Sequence, residues 1–110
     1  MEIIPREIRN YIDPDGQVPF KEWLDSLKNK KTQTIILNRI NRMRLGNIGD
    51  SKRLDEGVCE LRIHYGPGYR VYFGELEDVI VILLCGGTKR SQNKDIKRAK
   101  EYWLELRSRD

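Results

Sequence analysis

Residues that bind phosphate and nucleobases are concentrated in one short stretch, ELRIHYGPGYRVYF at 60–73. Side chains of a β-strand alternate between its two faces, so the polar and apolar residues of this stretch separate onto opposite faces. The polar face carries Glu60, Arg62, His64, Arg70 and Tyr72. Guanidinium groups bind phosphate through paired hydrogen bonds and aromatic rings stack on bases, so this face is suited to RNA.

The same stretch predicts a β-hairpin whose loop is Gly66-Pro67-Gly68. With that loop, His64 lies opposite Arg70, and Arg62 lies opposite Tyr72. A slip by one residue would place arginines in the core, so the division into faces is well determined. Guanidinium groups on one face of a sheet repel each other unless an anion lies between them, and a bound phosphate would relieve that repulsion.

A solvated surface is the plain alternative for these charges. Basic residues are common on strands that face solvent, and Arg62 could pair with Glu60 or Glu75. A lone histidine beside a loop, such as His64, is commonly just exposed. The basic stretch 31–44 could likewise be a solvated helix face.

The distribution of charge favours the functional interpretation. The net charge is +4, and the basic residues are concentrated in two segments. Residues 89–100 hold six bases and one acid, and residues 31–44 hold four bases and no acid. The glycines at 86–87 are expected to bend the chain and bring Lys89 and Arg90 toward the hairpin. One basic face is therefore expected, which suits a polyanionic partner.

Length and composition restrict the class of protein. The chain has 110 residues, enough for one domain, and 38% of them are hydrophobic. The longest apolar run, 79–85, is too short to span a membrane, and the N-terminus MEIIPREIRN has no apolar leader, so a cytoplasmic protein is expected. Cys59 and Cys85 have neither the spacing of metal ligands nor that of a disulfide framework. We expect two buried thiols, no metal and no cofactor.

The hydrophobic pattern predicts an α+β fold in the order strand, helix, helix, three strands, helix. The predicted elements are a strand over 3–12, helices over 19–28 and 32–45, strands over 58–65, 69–76 and 79–84, and a helix over 93–107. Residues 46–57 and 85–92 are predicted as flexible polar loops. The strands are expected to form an antiparallel meander packed against the helices, with the place of the first strand left open.

The sequence resembles toxins of the RelE/ParE superfamily, in the HigB-like branch of phage-derived addiction-module killer proteins. Three segments carry the resemblance, which covers nearly the whole chain: DPDGQVPFKEWLDSL, GVCELRIHYGPGYRVYF and VILLCGGTKRSQNKDIKRAKEYW. The resemblance implies a single RelE-like domain over 1–110, with a fold like that of microbial ribonucleases. It also implies metal-independent cleavage of mRNA, typically on the ribosome, and a cognate helix-turn-helix antitoxin through which the complex would bind operator DNA.

The resemblance also implies roles for particular residues. Arg70 would contact the scissile phosphate, with Arg62 and Lys89 as further basic residues. Relatives often place a Tyr or His for proton transfer in the segment corresponding to 90–96, where Asp95 lies nearest, although Asp95 could instead cap the final helix. The remaining candidates are Glu60 and His64 for acid–base chemistry, and Tyr72, Arg90 and Gln92 for substrate binding.

Two other functions fit the same fold. ParE-like members inhibit DNA gyrase, and the clustered phosphate ligands of the hairpin argue against that function here. A non-catalytic RNA-binding module would keep the basic face and would show salt-sensitive binding without strand scission.

Overall fold

Five strands and three α-helices account for most of residues 4–109, the part of the chain that the computed structural model describes. The elements are β1 Glu7–Asn10, α1 Pro19–Ser26, α2 Lys30–Arg44, β2 Ser51–Arg53, β3 Val58–Ile63, β4 Tyr69–Leu76, β5 Ile80–Thr88 and α3 Gln92–Arg107. Short 3-10 turns at Asp55–Gly57 and Lys89–Ser91 precede β3 and α3. The predicted α+β class is confirmed. Ile3, the first residue of the predicted N-terminal strand, lies outside the described residues.

The strands form one mixed sheet in the order β1-β5-β4-β3-β2. Strands β2 to β5 make an antiparallel meander, as expected. Strand β1 instead lies parallel to β5, with Glu7 beside Ile80 and Asn10 beside Leu83. The N-terminal strand therefore closes one edge of the sheet next to the last strand of the meander.

Helices cover both faces of the sheet, which explains the continuous apolar run of β5. Helices α1 and α2 pack on one face and α3 packs on the other, so two separate clusters of buried side chains form. The first cluster includes Phe20, Leu24, Ile36, Ile40, Met43, Leu61, Val71, Phe73 and Val81. The second includes Tyr11, Val58, Tyr72, Ile82, Leu84, Cys85, Ala99 and Trp103.

Local signals set the helix ends: α1 begins at Pro19 as predicted, whereas it ends two residues early and α2 begins two residues before the predicted Thr32. Pro19 occupies the first position of α1, where its missing N–H is not needed. Gly46 follows α2 with φ +100°, a conformation that glycine adopts without strain. The side chain of Asn29 accepts a hydrogen bond from the Thr32 backbone N–H at 3.0 Å and so caps the start of α2.

Both predicted flexible loops contain regular structure. Residues 46–57 hold the short edge strand β2, which pairs with β3 from Ser51 beside Leu61 to Arg53 beside Cys59. Residues 85–92 hold the end of β5, a 3-10 turn and the start of α3. These elements are not evident in a polar, glycine-containing sequence, because they form by hydrogen bonding to neighbouring strands and not through local propensity.

The sequence predicted that the two glycines of β5 bend the chain toward the hairpin, and this prediction is wrong. The strand runs through both of them to Thr88, and each one makes room for a side chain from a different face. A Cβ at Gly86 would overlap the Trp23 ring, and a Cβ at Gly87 would overlap the Asp95 carboxylate. The glycines therefore let α1 and α3 pack closely on opposite sides of β5.

Both cysteines are free and buried, as expected. Burial raises the pKa of the Cys59 thiol and raises that of Cys85 to about 12. Neither thiol is therefore suited to act as a nucleophile at neutral pH.

Replacing Gly86 by Ala should destabilise the protein by about 1–3 kcal/mol, because the added methyl group overlaps the Trp23 ring. Urea unfolding monitored by circular dichroism measures the change. In a Trp23→Leu background the same substitution should have a smaller effect, since the ring is gone. Equal effects in both backgrounds would contradict this explanation.

Candidate active site

The β3–β4 hairpin brings its two arginines directly opposite each other. The observed register pairs Arg62 with Arg70 and Glu60 with Tyr72, so the predicted pairing of His64 with Arg70 is wrong. The loop explains the difference. The Tyr65 N–H donates to the Ile63 carbonyl, and the Gly68 N–H donates to the Tyr65 carbonyl. Strand β3 therefore ends at Ile63, and the loop is longer than three residues. The observed pairing is displaced by two residues from the predicted one. Because side chains alternate with a period of two, each one stays on its predicted face, and the predicted division into faces is confirmed.

A buried carboxylate lies beneath the two guanidinium groups. Glu60 is 2% exposed; its Oε2 lies 3.4 Å from Arg70 Nε and its Oε1 lies 3.9 Å from Arg62 Nε. Both Nε–H groups are buried without a hydrogen-bond partner among residues 4–109, because these contacts attract the charges but are poorly aligned for hydrogen bonding. Glu60 alone thus offsets the two guanidinium charges only in part, and Asp50 Oδ1, which lies 3.6 Å from Arg62 Nε, supplies a second negative charge.

The first turn of α3 holds this carboxylate in place. Gln92 Nε2 donates to Glu60 Oε2 at 2.9 Å. The side chain of Gln92, predicted to bind substrate, thus orients Glu60, and the predicted substrate contact stays a prediction. Because the amide is uncharged, it holds the carboxylate without neutralising its charge.

Tyr72 does not have the predicted role of a stacking surface. Its side chain is fully buried beneath α3, so no face of the ring is open to a base. Its hydroxyl has no hydrogen-bond partner within the described part of the chain. Burial raises the pKa of Tyr72, and the nearby charges of Glu60 and Asp95 raise it further, so the hydroxyl stays protonated.

Lys89 joins Arg70 at the tip of the hairpin. Its backbone N–H donates to the Gly68 carbonyl at 2.8 Å, which ties the end of β5 to the hairpin loop. A Cβ built on Gly68 would lie 3.7 Å from both Arg70 Nη1 and Lys89 Cβ, so the two basic residues flank the same glycine. Arg90 follows on the 3-10 turn and is exposed.

His64 follows Ile63, the last residue of β3, at the end of the hairpin that faces the loop after α2. Its ring is 78% exposed and its Nε2 lies 2.5 Å from Asp50 Oδ2. Asp50 Oδ1 also lies 3.6 Å from Arg62 Nε. The hydrogen bond with His64 holds the pKa of Asp50 below its usual range, and the charge of Arg62 lowers it further.

Asp95 is a structural residue rather than an exposed proton-transfer group. It is 6% exposed, accepts a hydrogen bond from the Ser91 hydroxyl and packs against Gly87. Its backbone carbonyl lies 3.7 Å from the Cys85 thiol. The predicted acid–base role of Asp95 is therefore corrected: its carboxylate fastens the start of α3 to β5 and is not open to a substrate.

A protein of Haemophilus influenzae, described as an uncharacterized protein, is 52% identical to this chain over 87 residues. The matched part covers 79% of this chain and 88% of the Haemophilus protein. The two proteins belong to one family. No family model matches the chain.

The contacts of Asp50 with His64 and Arg62, and of Gly68 with Lys89, were not predicted from the sequence. Both lie in polar, glycine-containing segments that carry no periodic pattern, and each becomes visible only through a contact distant along the chain. Among residues 4–109, no group of three or more His, Cys, Asp or Glu side chains could hold a metal ion. The same residues include no helix that is long and apolar enough to cross a membrane.

The site as a whole can bind an anion. The side chains of Arg62 and Arg70, which are 35% and 12% exposed, meet the buried Glu60 carboxylate, and Lys89 lies beside Arg70 at Gly68. Charge-assisted hydrogen bonds from guanidinium groups to an oxyanion are among the strongest in proteins. A phosphodiester placed here would supply the negative charge that Glu60 alone does not.

Replacing Glu60 by Gln should destabilise the protein by about 3 kcal/mol, because two facing guanidinium groups lose their buried counter-charge. Urea unfolding compares this variant with wild type. Glu101→Gln, an exposed carboxylate on α3, is the matched control and should change stability little.

Phosphate should recover part of the lost stability of Glu60→Gln, relative to chloride at the same ionic strength, because a bound oxyanion replaces the missing charge. The role given to Glu60 is wrong if Glu60→Gln is as stable as wild type in chloride, or if phosphate stabilises the variant no more than chloride does.

Proposed function

We propose that the protein is the toxin of a type II toxin–antitoxin module, a metal-independent endoribonuclease of the HigB-like branch of the RelE/ParE superfamily. It would cut mRNA, free or on the ribosome, and thereby inhibit translation in the cytoplasm. The observation that carries the proposal is the pair Arg62 and Arg70, opposite each other on adjacent strands above the buried Glu60. The mixed sheet with helices on both faces is compatible with a RelE-like fold.

The proposed reaction uses the RNA's own 2′-hydroxyl as nucleophile. The 2′-oxygen attacks the neighbouring phosphorus and loses its proton, and the bond from phosphorus to the 5′-oxygen of the next nucleotide breaks as that oxygen gains a proton. The products are a 2′,3′-cyclic phosphate and a 5′-hydroxyl end. Negative charge accumulates on the non-bridging oxygens in the transition state, which is where fixed cations are most effective.

The basic residues of the site are given different roles in phosphate binding because they differ in exposure. Arg70 is largely buried and fixed in place, so it is the residue proposed to stabilise the transition state. Lys89, beside the same glycine, and Arg62, across the strand pair, would hold the phosphate from either side. Glu60 acts as a positioning residue, because its buried carboxylate orients both guanidinium groups.

His64 is the remaining proton-transfer group among the predicted candidates. Glu60 is buried beneath the arginines and Asp95 is held by Ser91, whereas the His64 ring is exposed and linked to Arg62 through Asp50. Imidazole is the side chain that most readily exchanges a proton at neutral pH, so it can accept the 2′-proton. The Asp50 carboxylate would orient the ring through its hydrogen bond to Nε2.

An antitoxin is the proposed partner. Because an active nuclease of this kind would damage the cell that makes it, its cationic site must be covered by a co-expressed protein, and an acidic or helical segment would suit the charges of Arg62, Arg70 and Lys89. We propose a helix-turn-helix antitoxin, with operator DNA bound only through the complex.

Replacing Arg70 by Ala should abolish growth arrest on induction and reduce mRNA cleavage by about 100- to 1000-fold, the loss typical for one preorganised charge at a transition state. Arg98→Ala, an exposed arginine on α3, is the matched control and should remain toxic. Mapping of mRNA 5′ ends after induction of each variant provides the measurement.

The same experiment separates the competing functions. Equal arrest and equal cleavage by wild type and Arg70→Ala would remove Arg70 from the mechanism. Arrest with a DNA-damage response and intact mRNA would favour a gyrase inhibitor. Binding of RNA by the wild type without new 5′ ends would favour a non-catalytic binding module.

A further inference from the structure

A second cationic cleft lies beside the candidate active site. It has a volume of about 460 Å³ and opens between α2, the loop that follows α2 and the end of β3. Its charged lining consists of three arginines, one aspartate and one histidine: Arg39, Arg42, Arg62, Asp50 and His64. Arg39 and Arg42 have no role in the proposed cleavage at Arg70, so their place in this cleft needs an explanation of its own.

The backbone of the loop after α2 lies close to one of these arginines. A Cβ at Gly49 would overlap the Arg39 guanidinium as it is placed here. Gly49 also has φ +71°, which favours glycine. The Arg39 guanidinium therefore packs against this loop.

Charge in the cleft is unbalanced. Asp50 pairs with Arg62 and His64, and among residues 4–109 neither Arg39 nor Arg42 forms an ion pair. Burial lowers the pKa of Arg39, and the charge of Arg42 lowers it further. Two arginines on adjacent turns of one helix, Arg39 partly buried and Arg42 exposed, neither of them in an ion pair with a described residue, favour binding of an anion.

Arg62 connects the cleft to the candidate active site. On one side it faces Arg70 across the strand pair, and on the other it lines the cleft next to Asp50. Arg62 is thus a basic side chain that the two sites share. Neighbouring cationic sites that share a residue can bind successive phosphates of a single nucleic-acid strand.

We propose that the α2 cleft binds a second phosphate of the RNA strand that is cut at Arg70, with Arg39 and Arg42 as its ligands. This proposal rests on the proposed function and adds to it a required substrate length of more than two nucleotides. Asn38 and Asn47 also line the cleft and can hydrogen-bond the sugar or base of that nucleotide. The shared Arg62 favours one continuous RNA ligand over a separate acidic protein.

Binding of uncleavable RNA tests the proposal. The probes are fluorescent 2′-O-methyl oligoribonucleotides, which lack the nucleophile: a dinucleotide with one phosphate and a hexanucleotide. We expect Arg39→Gln/Arg42→Gln to weaken hexanucleotide binding about 10-fold and to reduce the slope of log K against log salt by about 0.7 for each phosphate that no longer binds a cation. Dinucleotide binding should not change, because its phosphate occupies the Arg62–Arg70 site.

A matched control removes the same amount of charge elsewhere. Lys97→Gln/Arg98→Gln removes two exposed cations from α3, on the other face of the sheet, and should leave hexanucleotide binding within about twofold of wild type. Asp50→Asn should act in the opposite direction and tighten hexanucleotide binding, since the competing carboxylate is removed. Circular dichroism melting confirms that each variant is folded.

The outcomes separate this inference from the proposed function. If Arg39→Gln/Arg42→Gln binds the hexanucleotide as wild type does while wild type still cleaves mRNA, the cleft proposal is wrong and the nuclease proposal stands. If hexanucleotide binding falls as expected but wild type cuts no mRNA, the cleft binds RNA and the nuclease proposal fails. Loss of antitoxin binding with unchanged RNA binding would show that the cleft serves a protein partner and would overturn the inference.

Discussion

One buried carboxylate organises the polar face of this sheet. Glu60 lies beneath Arg62 and Arg70, and without it two guanidinium groups on facing strands would repel each other inside a partly desolvated site. Its attraction reaches both arginines through their Nε atoms without a well-formed hydrogen bond to either. The arginines are consequently held in position but not neutralised. A site meant only for stability would be expected to pair its buried charges fully.

The position of helix α3 on β5 holds Glu60 in place beneath the two arginines. Gly87 lets Asp95 lie directly on β5, Ser91 donates to Asp95, and the first turn of α3 then brings Gln92 over Glu60. The helix buries the inner part of the polar face, including the Tyr72 hydroxyl, and leaves the arginines at its margin. The glycines of β5 therefore matter for the site through packing: they set how close each helix comes to the strand that leads into Lys89.

The sequence predicted the division of side chains into faces, because strand alternation is a local property that survives a register change of two residues. It predicted the helices from Pro19, from the apolar spacing and from Gly46. The register was wrong because hydrogen bonds within the loop, rather than its glycines, decide where β3 ends. The burial of Tyr72 and Asp95 was missed because it depends on how α3 packs across the sheet, which no local pattern encodes.

The distribution of unsatisfied groups follows from the same geometry. Among residues 4–109, the buried polar atoms of the site that lack a hydrogen-bond partner are Arg62 Nε, Arg70 Nε and the Tyr72 hydroxyl. The attraction of Glu60 for both guanidinium groups, and of Asp50 for Arg62, offsets part of the cost of leaving these groups without hydrogen bonds. Strands β3 to β5 can tolerate it because apolar packing on both faces of the sheet fixes them. A rigid sheet that keeps cations incompletely paired is prepared to receive an anion, since the groups need no rearrangement when the charge arrives.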